Sequence, residues 1–392
     1  MCPKSRKNFA VAIICSLSLQ ADAVEALFDE IYDRLGKYYG KPRGDANVYI
    51  NGRIGKHDVV LCCMPGIGKG SIASAASSLQ VSYTGIKLAL IVGICAGAPS
   101  PPDYREIFLG DVIISDSVFE YNFGTQYPGG FQRKTTVKHW PGREIRTILS
   151  SFRMENARHE FQNRMLQYLH AIQQTGMQWH RPQMNDILFR PSYVHQHSTK
   201  ASSPNCYCLM TDSSDFICED NSEVIRCRKP PDAKVSAYFG TLASSDTVVK
   251  SGNFRDTIAN EEGILGFDIE GVGIWDTIQC IIIKGVCDYA NGHKCKAWHK
   301  YAAATGASAA KTFLDYWSPD SGRESSHTQR YCPNDFKKSS NDDDFTENGE
   351  ERWDSILRSR IQNEECFNCG DGGHYESSCH FSCARCKRSS PL

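Results

Sequence analysis

The sequence predicts an α/β fold over residues 1–317, a central mixed sheet flanked by helices, with a small separate tail at 351–392. Three observations point there. Apolar segments of strand length alternate with helical segments over 9–120 and again over 235–316, the pattern of a sheet covered on both faces. Hydrophobic residues make up 41% of the chain, enough for a core and too many for wholesale disorder. Residues 318–350 are rich in Ser, Asp, Asn and Glu with almost no apolar periodicity, so they read as a disordered polar linker.

Residues 9–15 form the first expected strand. Lys4, Arg6 and Lys7 precede it, and Ala21-Asp22-Ala23 mimics a signal-peptide cleavage site. A helix over 21–35 follows at once, with Val24, Leu27, Phe28, Ile31 and Leu35 at helical spacing, so cleavage would cut through one strand–turn–helix unit. Strand 59–63 leads into Met64-Pro65-Gly66-Ile67-Gly68-Lys69-Gly70 and an Ala/Ser-rich helix reaching about Ser82. Strand 88–92 ends in Gly93-Ile94-Cys95-Ala96-Gly97, and another strand spans 112–115. Residues 141–235 read as an irregular insertion: a polar helix over 143–174, then a loop-rich stretch with Cys206, Cys208, Cys218 and Cys227. Regular structure resumes with strand 235–242, a helix over 254–262, the segment 263–269, strand 281–286 and an Ala-rich helix over 301–316. A short helix is expected at 353–361.

A formal net charge of −1 gives no global attraction to nucleic acid or an anionic membrane. No segment approaches the roughly 20 apolar residues needed to cross a bilayer. The 18 cysteines suit a reducing, cytoplasmic compartment, because the chain is far longer than a disulfide-stapled mini-domain and its tightest cluster has metal-ligand spacing.

Two segments concentrate chemistry. Phe267-Asp268-Ile269-Glu270-Gly271-Val272-Gly273 is acidic and glycine-rich at a strand-to-helix transition, and Ile283-Lys284-Gly285-Val286-Cys287-Asp288 places a carboxylate just past a buried strand. Ligands of α/β sheets gather at the carboxyl ends of strands, so Glu270 and Asp288 can face one cleft. Either alone also reads as a helix cap or surface acid. Together with Gly66-Ile67-Gly68-Lys69 and Gly93-Ile94-Cys95-Ala96-Gly97, in this order, they resemble the purine nucleoside phosphorylase and methylthioadenosine nucleosidase superfamily. The resemblance runs from about Phe9 to Leu314. It is nearest to the fungal branch that forms N-terminal effector modules of multidomain immune-type receptors, through residues 52–57, 284–291 and 301–305.

That resemblance implies a nucleoside phosphorylase-like fold, a homo-oligomer, catalysis without a cofactor, and a purine nucleoside or nucleotide as partner. Some relatives in the branch cleave nucleotides, ATP included. Asp288 matches the general acid that protonates the departing base at N7. Glu270 matches the glutamate that accepts hydrogen bonds from the ribose hydroxyls, bonds that strengthen as the sugar becomes cationic. Asp246, Val248 and Val249 fall where the family shapes the base pocket. Ile94 and Cys95 fall where its loop approaches ribose and nucleophile, and Gly68, Asp268 and Ile269 complete the implied substrate contacts.

Departures from the family pattern bear on the nucleophile. Phosphorolytic relatives carry a phosphate-binding arginine where this chain has Ile91, which cannot pair with phosphate, so water is the expected nucleophile. A phosphate-dependent phosphorylase remains the alternative enzyme. Arg53, Arg133 and Lys69 are candidates to meet substrate phosphates, or equally solvated surface cations. The family's water-activating glutamate is here Gln20, a neutral amide that orients water but takes no proton. Asp22 is a surrogate base or a first-turn helix charge. Ser245 stands where glycine allows close approach. A weakly active nucleotide-binding module is therefore the competing reading.

The tail reads Cys366-x2-Cys369-x4-His374-x4-Cys379. Three thiolates and an imidazole suit a closed tetrahedral Zn²⁺ site, whose metal supplies the folding energy so short a segment lacks. The pattern resembles the CCHC zinc knuckle, and implies a single-stranded RNA or protein partner through Phe367 and Tyr375. Cys383 and Cys386 add a further C-x2-C. Cys206, Cys208, Cys218 and Cys227, with His195, are a second metal site or loose thiols.

Overall fold

In the computed structural model, residues 2–34, 37–134, 138–192, 224–228, 234–275 and 278–319 are described. The linker and the tail, with Cys366, Cys369, His374 and Cys379, lie outside them, as do His195, Cys206, Cys208 and Cys218. In chain order the elements are β1 (Val11–Cys15), α1 (Ser18–Glu25), β2 (Glu30–Arg34), β3 (Val48–Ile54), β4 (His57–Cys63), α2 (Lys69–Ser82), β5 (Leu88–Gly97) and β6 (Val112–Glu120). There follow β7 (Gly124–Tyr127), β8 (Gly130–Arg133), α3 (Arg143–Ser151), α4 (Glu155–Gln173), β9 (Asp186–Phe189) and β10 (Val224–Arg228). The chain closes with β11 (Ala237–Ser244), α5 (Gly252–Glu262), β12 (Ile264–Asp268), β13 (Cys280–Asp288) and α6 (Ala297–Tyr316).

The α/β architecture expected from the alternation is present. Nine strands form one mixed sheet in the order β12-β11-β6-β13-β5-β1-β4-β3-β2. β1, β12 and β13 are buried along their whole lengths, as strands covered on both faces must be. The alanine-rich α6 lies directly on this layer. Gly285 makes that possible, since a Cβ there would sit 1.9 Å from the Ala302 carbonyl oxygen.

One pairing positions the site. β12 returns antiparallel against the end of β5, Gly266 opposite Gly97 and Phe267 opposite Ala96. β5 also runs parallel to β13, where Ala96 is the register partner of Asp288. Strands β5, β13, β6, β11 and β12 thus close into a ring. The carboxyl ends of β5, β12 and β13 meet at Ala96.

Several boundaries differ from the sequence expectation. The helix expected over 21–35 is α1 followed by β2, because β2 pairs antiparallel with β3. Lys311 of α6 donates to the Leu27 carbonyl and to Asp29, both at 2.8 Å, fixing the turn between the two elements. The helix expected over 143–174 is broken into α3 and α4. Phe152, at the break, is buried against Phe161, Phe239 and Tyr316, with ring centroids 4.8, 5.3 and 5.0 Å away. The stretch read as an irregular insertion accordingly contributes two regular helices to the core, with Phe161, Met165, Leu169 and Ile172 of α4 buried. β5 and β6 extend well past the expected 88–92 and 112–115.

Candidate active site

A cavity of about 210 Å³ opens where the three strand ends meet. Ile94, Cys95, Val248, Val249, Phe267 and Ile269 give it apolar walls, and Gln20, Asp268, Glu270, Asp288, Lys294 and His299 supply its polar groups. The structure thus brings Gln20, Glu270 and Asp288 together from three separate stretches of chain.

Asp268 ends β12, and Glu270 follows on the turn. Both are buried, and both reach Lys284 of β13: Nζ is 2.8 Å from Glu270 Oε2 and 3.2 Å from Asp268 Oδ1. The Gly271 N–H donates to Asp268 Oδ2 at 2.8 Å. One ammonium therefore serves two carboxylates. Burial pushes Glu270 up to about 7, with the Lys284 charge opposing and the Asp268 charge adding to the rise. Burial acts to raise Asp268 too, but Lys284 and the donors on its other oxygen outweigh it and hold this carboxyl below the usual range. Burial also works against the charge on Lys284, yet the two carboxylates hold it above the ordinary lysine range.

Asp288 ends β13, where the chain bends sharply. The next residue but one, Ala290, has φ 50°, the left-handed region that side-chain-bearing residues seldom occupy. Its N–H donates to Asp288 Oδ1 at 2.9 Å, and buried Arg255 of α5 donates to the Tyr289 carbonyl at 2.7 Å. Tyr289 in turn donates to Asp186 of β9 at 2.7 Å and accepts from Arg226 of β10 at 2.8 Å. The remaining carboxylate oxygen of Asp288 meets Lys294 Nζ at 3.1 Å.

Gln20 lies against the backbone of Gly93, where a Cβ would come within 2.7 Å of its amide. Its Oε1 accepts from the Ser16 N–H at 3.0 Å, the Leu17 N–H at 3.2 Å and the Ser16 hydroxyl at 3.1 Å. Two backbone donors fix the amide orientation. Cys95 and Cys287 also line it. Burial pushes both thiols well above the ordinary value, so they stay protonated and are poor nucleophiles.

Asp246, expected at the base pocket, and Gly68, an expected substrate contact, lie against each other's segment. Asp246 Oδ1 accepts from the Lys69 N–H at 2.7 Å at the start of α2 and lies 3.0 Å from where a Gly68 Cβ would be, while Ile67 of that loop lines the cavity. The expected phosphate cations are engaged elsewhere. Lys69 pairs with Glu120 at 2.5 Å, Arg133 with Glu261 and Glu262 at 3.0 Å each, and Arg53 with Glu30 at 3.6 Å. Asp22 is exposed on α1, Ser245 is buried and accepts from the Thr247 N–H at 3.0 Å, and Cys227 is exposed on β10. Among the described residues no group of three or more His, Cys, Asp or Glu is placed to hold a metal, and no helix is long and apolar enough to cross a membrane.

Lys284, Lys294 and His299 had no assigned role from sequence. Lys284 had a signal, a charge inside the apolar run Ile281–Val286 that burial obliges to find carboxylates. Lys294 had only its nearness to Asp288 in a Gly-containing turn.

No family model matches the chain. Over 320 residues, 80% of this chain, it is 28% identical to a nucleotide-binding leucine-rich repeat (NLR)-like protein of Hyaloscypha variabilis, and the match spans 30% of that relative's length. Among solved structures, futalosine hydrolase of Helicobacter pylori is similar at a TM-score of 0.48 and 13% identity, covering 80% of this chain and 100% of that one. The 5′-methylthioadenosine/S-adenosyl homocysteine nucleosidase of the same bacterium gives 0.47 and 13%, covering 79% and 99%. The corresponding nucleosidase of Neisseria meningitidis gives 0.46 and 14%, with the same coverage of 79% and 99%.

Proposed function

We propose that this chain hydrolyses the N-glycosidic bond of a purine nucleoside or nucleotide, of the adenosine, AMP or ATP type, to free base and sugar. One observation carries the reading: two buried carboxylates from different strand ends, Glu270 and Asp288, share one apolar-walled cavity with Gln20. Breaking the bond puts positive charge on the sugar and negative charge on the base, so the site needs an acceptor for one and a proton for the other. Glu270, ionised, accepts from the ribose hydroxyls most strongly when the sugar is most cationic. Asp288 delivers the proton to N7. Water is the nucleophile, supported by Ile91, which is buried inside β5, and by the engagement of Lys69, Arg53 and Arg133 with protein carboxylates.

A second reading, a slow nucleotide-binding module, is favoured by Gln20, whose oxygen is occupied by three donors and so draws no proton from water. Gln20→Glu separates the two. The new carboxylate keeps one oxygen on those donors and turns the other to the cavity, and turnover should rise roughly tenfold or more. No rise would assign water activation elsewhere. The primary test is incubation with adenosine, AMP, ATP and methylthioadenosine, with and without phosphate, followed by detection of free base.

The same proposal takes in the rest of the chain. Cys366, Cys369, His374 and Cys379 bind one structural Zn²⁺, and the knuckle so formed contacts a single-stranded RNA or a protein. The chain acts in the cytoplasm as a homo-oligomer, an effector module of the kind found in the fungal branch that its sequence resembles. Metal analysis of the full chain and of a truncation near Gly322 tests the tail: one zinc in the first and none in the second is expected, and zinc in neither removes the knuckle.

A further inference from the structure

We infer that Lys294 is the source of the proton that leaves on the base, passing it through Asp288. The inference rests on the nucleosidase reading and deepens it. Among the described residues, donors reach both oxygens of Asp288: the Ala290 N–H at 2.9 Å on Oδ1, and Lys294 Nζ at 3.1 Å with the Cys287 thiol at 3.6 Å on Oδ2. In this arrangement the carboxylate only accepts, and the proton within reach is the one on the Lys294 ammonium at Oδ2.

The placement of Lys294 suits repeated proton delivery. It lines the substrate cavity, and it also lines a second cavity of about 30 Å³, bordered as well by Asp288, Asn185 and His293. The smaller space is large enough for a single water. The lysine side chain is 22% exposed, so solvent can return a proton to it after each turnover.

The step balances. The bond between C1′ and N9 breaks and its electron pair moves onto the purine. Lys294 Nζ passes a proton to Asp288 Oδ2, and the carboxyl so formed passes it to N7, leaving a neutral amine, a carboxylate and a neutral base. Water adds to C1′ and releases its surplus proton to solvent, which recharges the amine.

Lys294→Arg is the decisive variant, because arginine keeps the ion pair but does not give up a proton. Base release is measured for wild type, Lys294→Arg and Lys294→Met on whichever of adenosine, AMP and ATP the wild type cleaves. The same proteins are tested on 4-nitrophenyl riboside, whose leaving group departs as a stable anion. Both variants should lose roughly 10²–10⁴-fold on the purine substrate and stay near the wild-type rate on the nitrophenyl riboside. Wild-type purine turnover by Lys294→Arg would overturn the inference, since charge alone would then suffice. Equal losses on both substrates would overturn it too, reducing Lys294 to a structural role. A wild type that releases no base from any of them would instead sink the nucleosidase reading on which it rests.

Discussion

Lys284 and Lys294 both meet carboxylates at the ends of β12 and β13, yet their settings differ. Lys284 is 1% exposed and sits between Asp268 and Glu270 in the interior of the sheet layer. Lys294 is 22% exposed and holds Asp288 alone, at the border of two cavities. A sealed ammonium shared by two acids is a fixed charge that sets how strongly a neighbouring carboxylate can act on the sugar. An ammonium at the edge of solvent can exchange its proton. On the proposed reading the same two residue types supply a static field on the ribose side and a proton path on the base side, and burial makes the difference.

The largest effect that tests this contrast is on stability. Lys284→Met strands two buried carboxylates without a counter-charge and should cost about 3–5 kcal/mol. Lys294→Met, at a pair that solvent partly screens, should cost about 1 kcal/mol or less. Urea unfolding of the two variants compares them directly, and equal losses would erase the distinction between sealed and open pairs.

Next in size is the ribose side. Glu270→Ala should cost roughly 1.5–3 kcal/mol of transition-state stabilisation on ribosides and much less on 2′-deoxyribosides, read from kcat/KM for each. Equal losses would take Glu270 away from the sugar hydroxyls.

The strand-end convergence was legible in part. The alternating pattern and the motifs at Asp268–Glu270 and Asp288 were enough to expect one cleft, because ligands of α/β sheets gather at the carboxyl ends of strands. What sequence periodicity does not encode is the return of β12 onto β5 at Gly266 and Gly97, a long-range pairing that brings the two acids to Ala96. For the same reason β2 was read as the end of a helix: its apolar residues fit helical spacing, and only the edge of β3 recruits them into the sheet. The family position of Asp246 carries no hint of the hydrogen bond its carboxylate accepts from the Lys69 N–H at the start of α2. Gln20 was found, but the three donors on its oxygen come from a turn whose geometry no motif states.

A smaller effect concerns pH. Burial moves Glu270 from its ordinary 4.5 to about 7, and on the proposed reading the ionised form is the one that accepts from the sugar. Activity should therefore rise with pH through about 7, and kcat/KM against pH should show that limb in wild type. For stability the sign is opposite. The folded state holds this proton more tightly than the unfolded chain, so the group's contribution is complete below 4.5 and is lost as pH rises through about 7. Glu270→Gln should flatten the fall in Tm across that window, and an unchanged slope would assign it to another group.

The measurement closest to the central claim is chromatographic detection of free adenine from adenosine, AMP and ATP in phosphate-free buffer, with wild type beside Asp288→Asn. The account predicts base release by wild type at a rate that added phosphate does not raise, and a loss of roughly 10²–10⁴-fold in Asp288→Asn with its Tm preserved. Release by Asp288→Asn at the wild-type rate, or no release by wild type from any of the three, would contradict it.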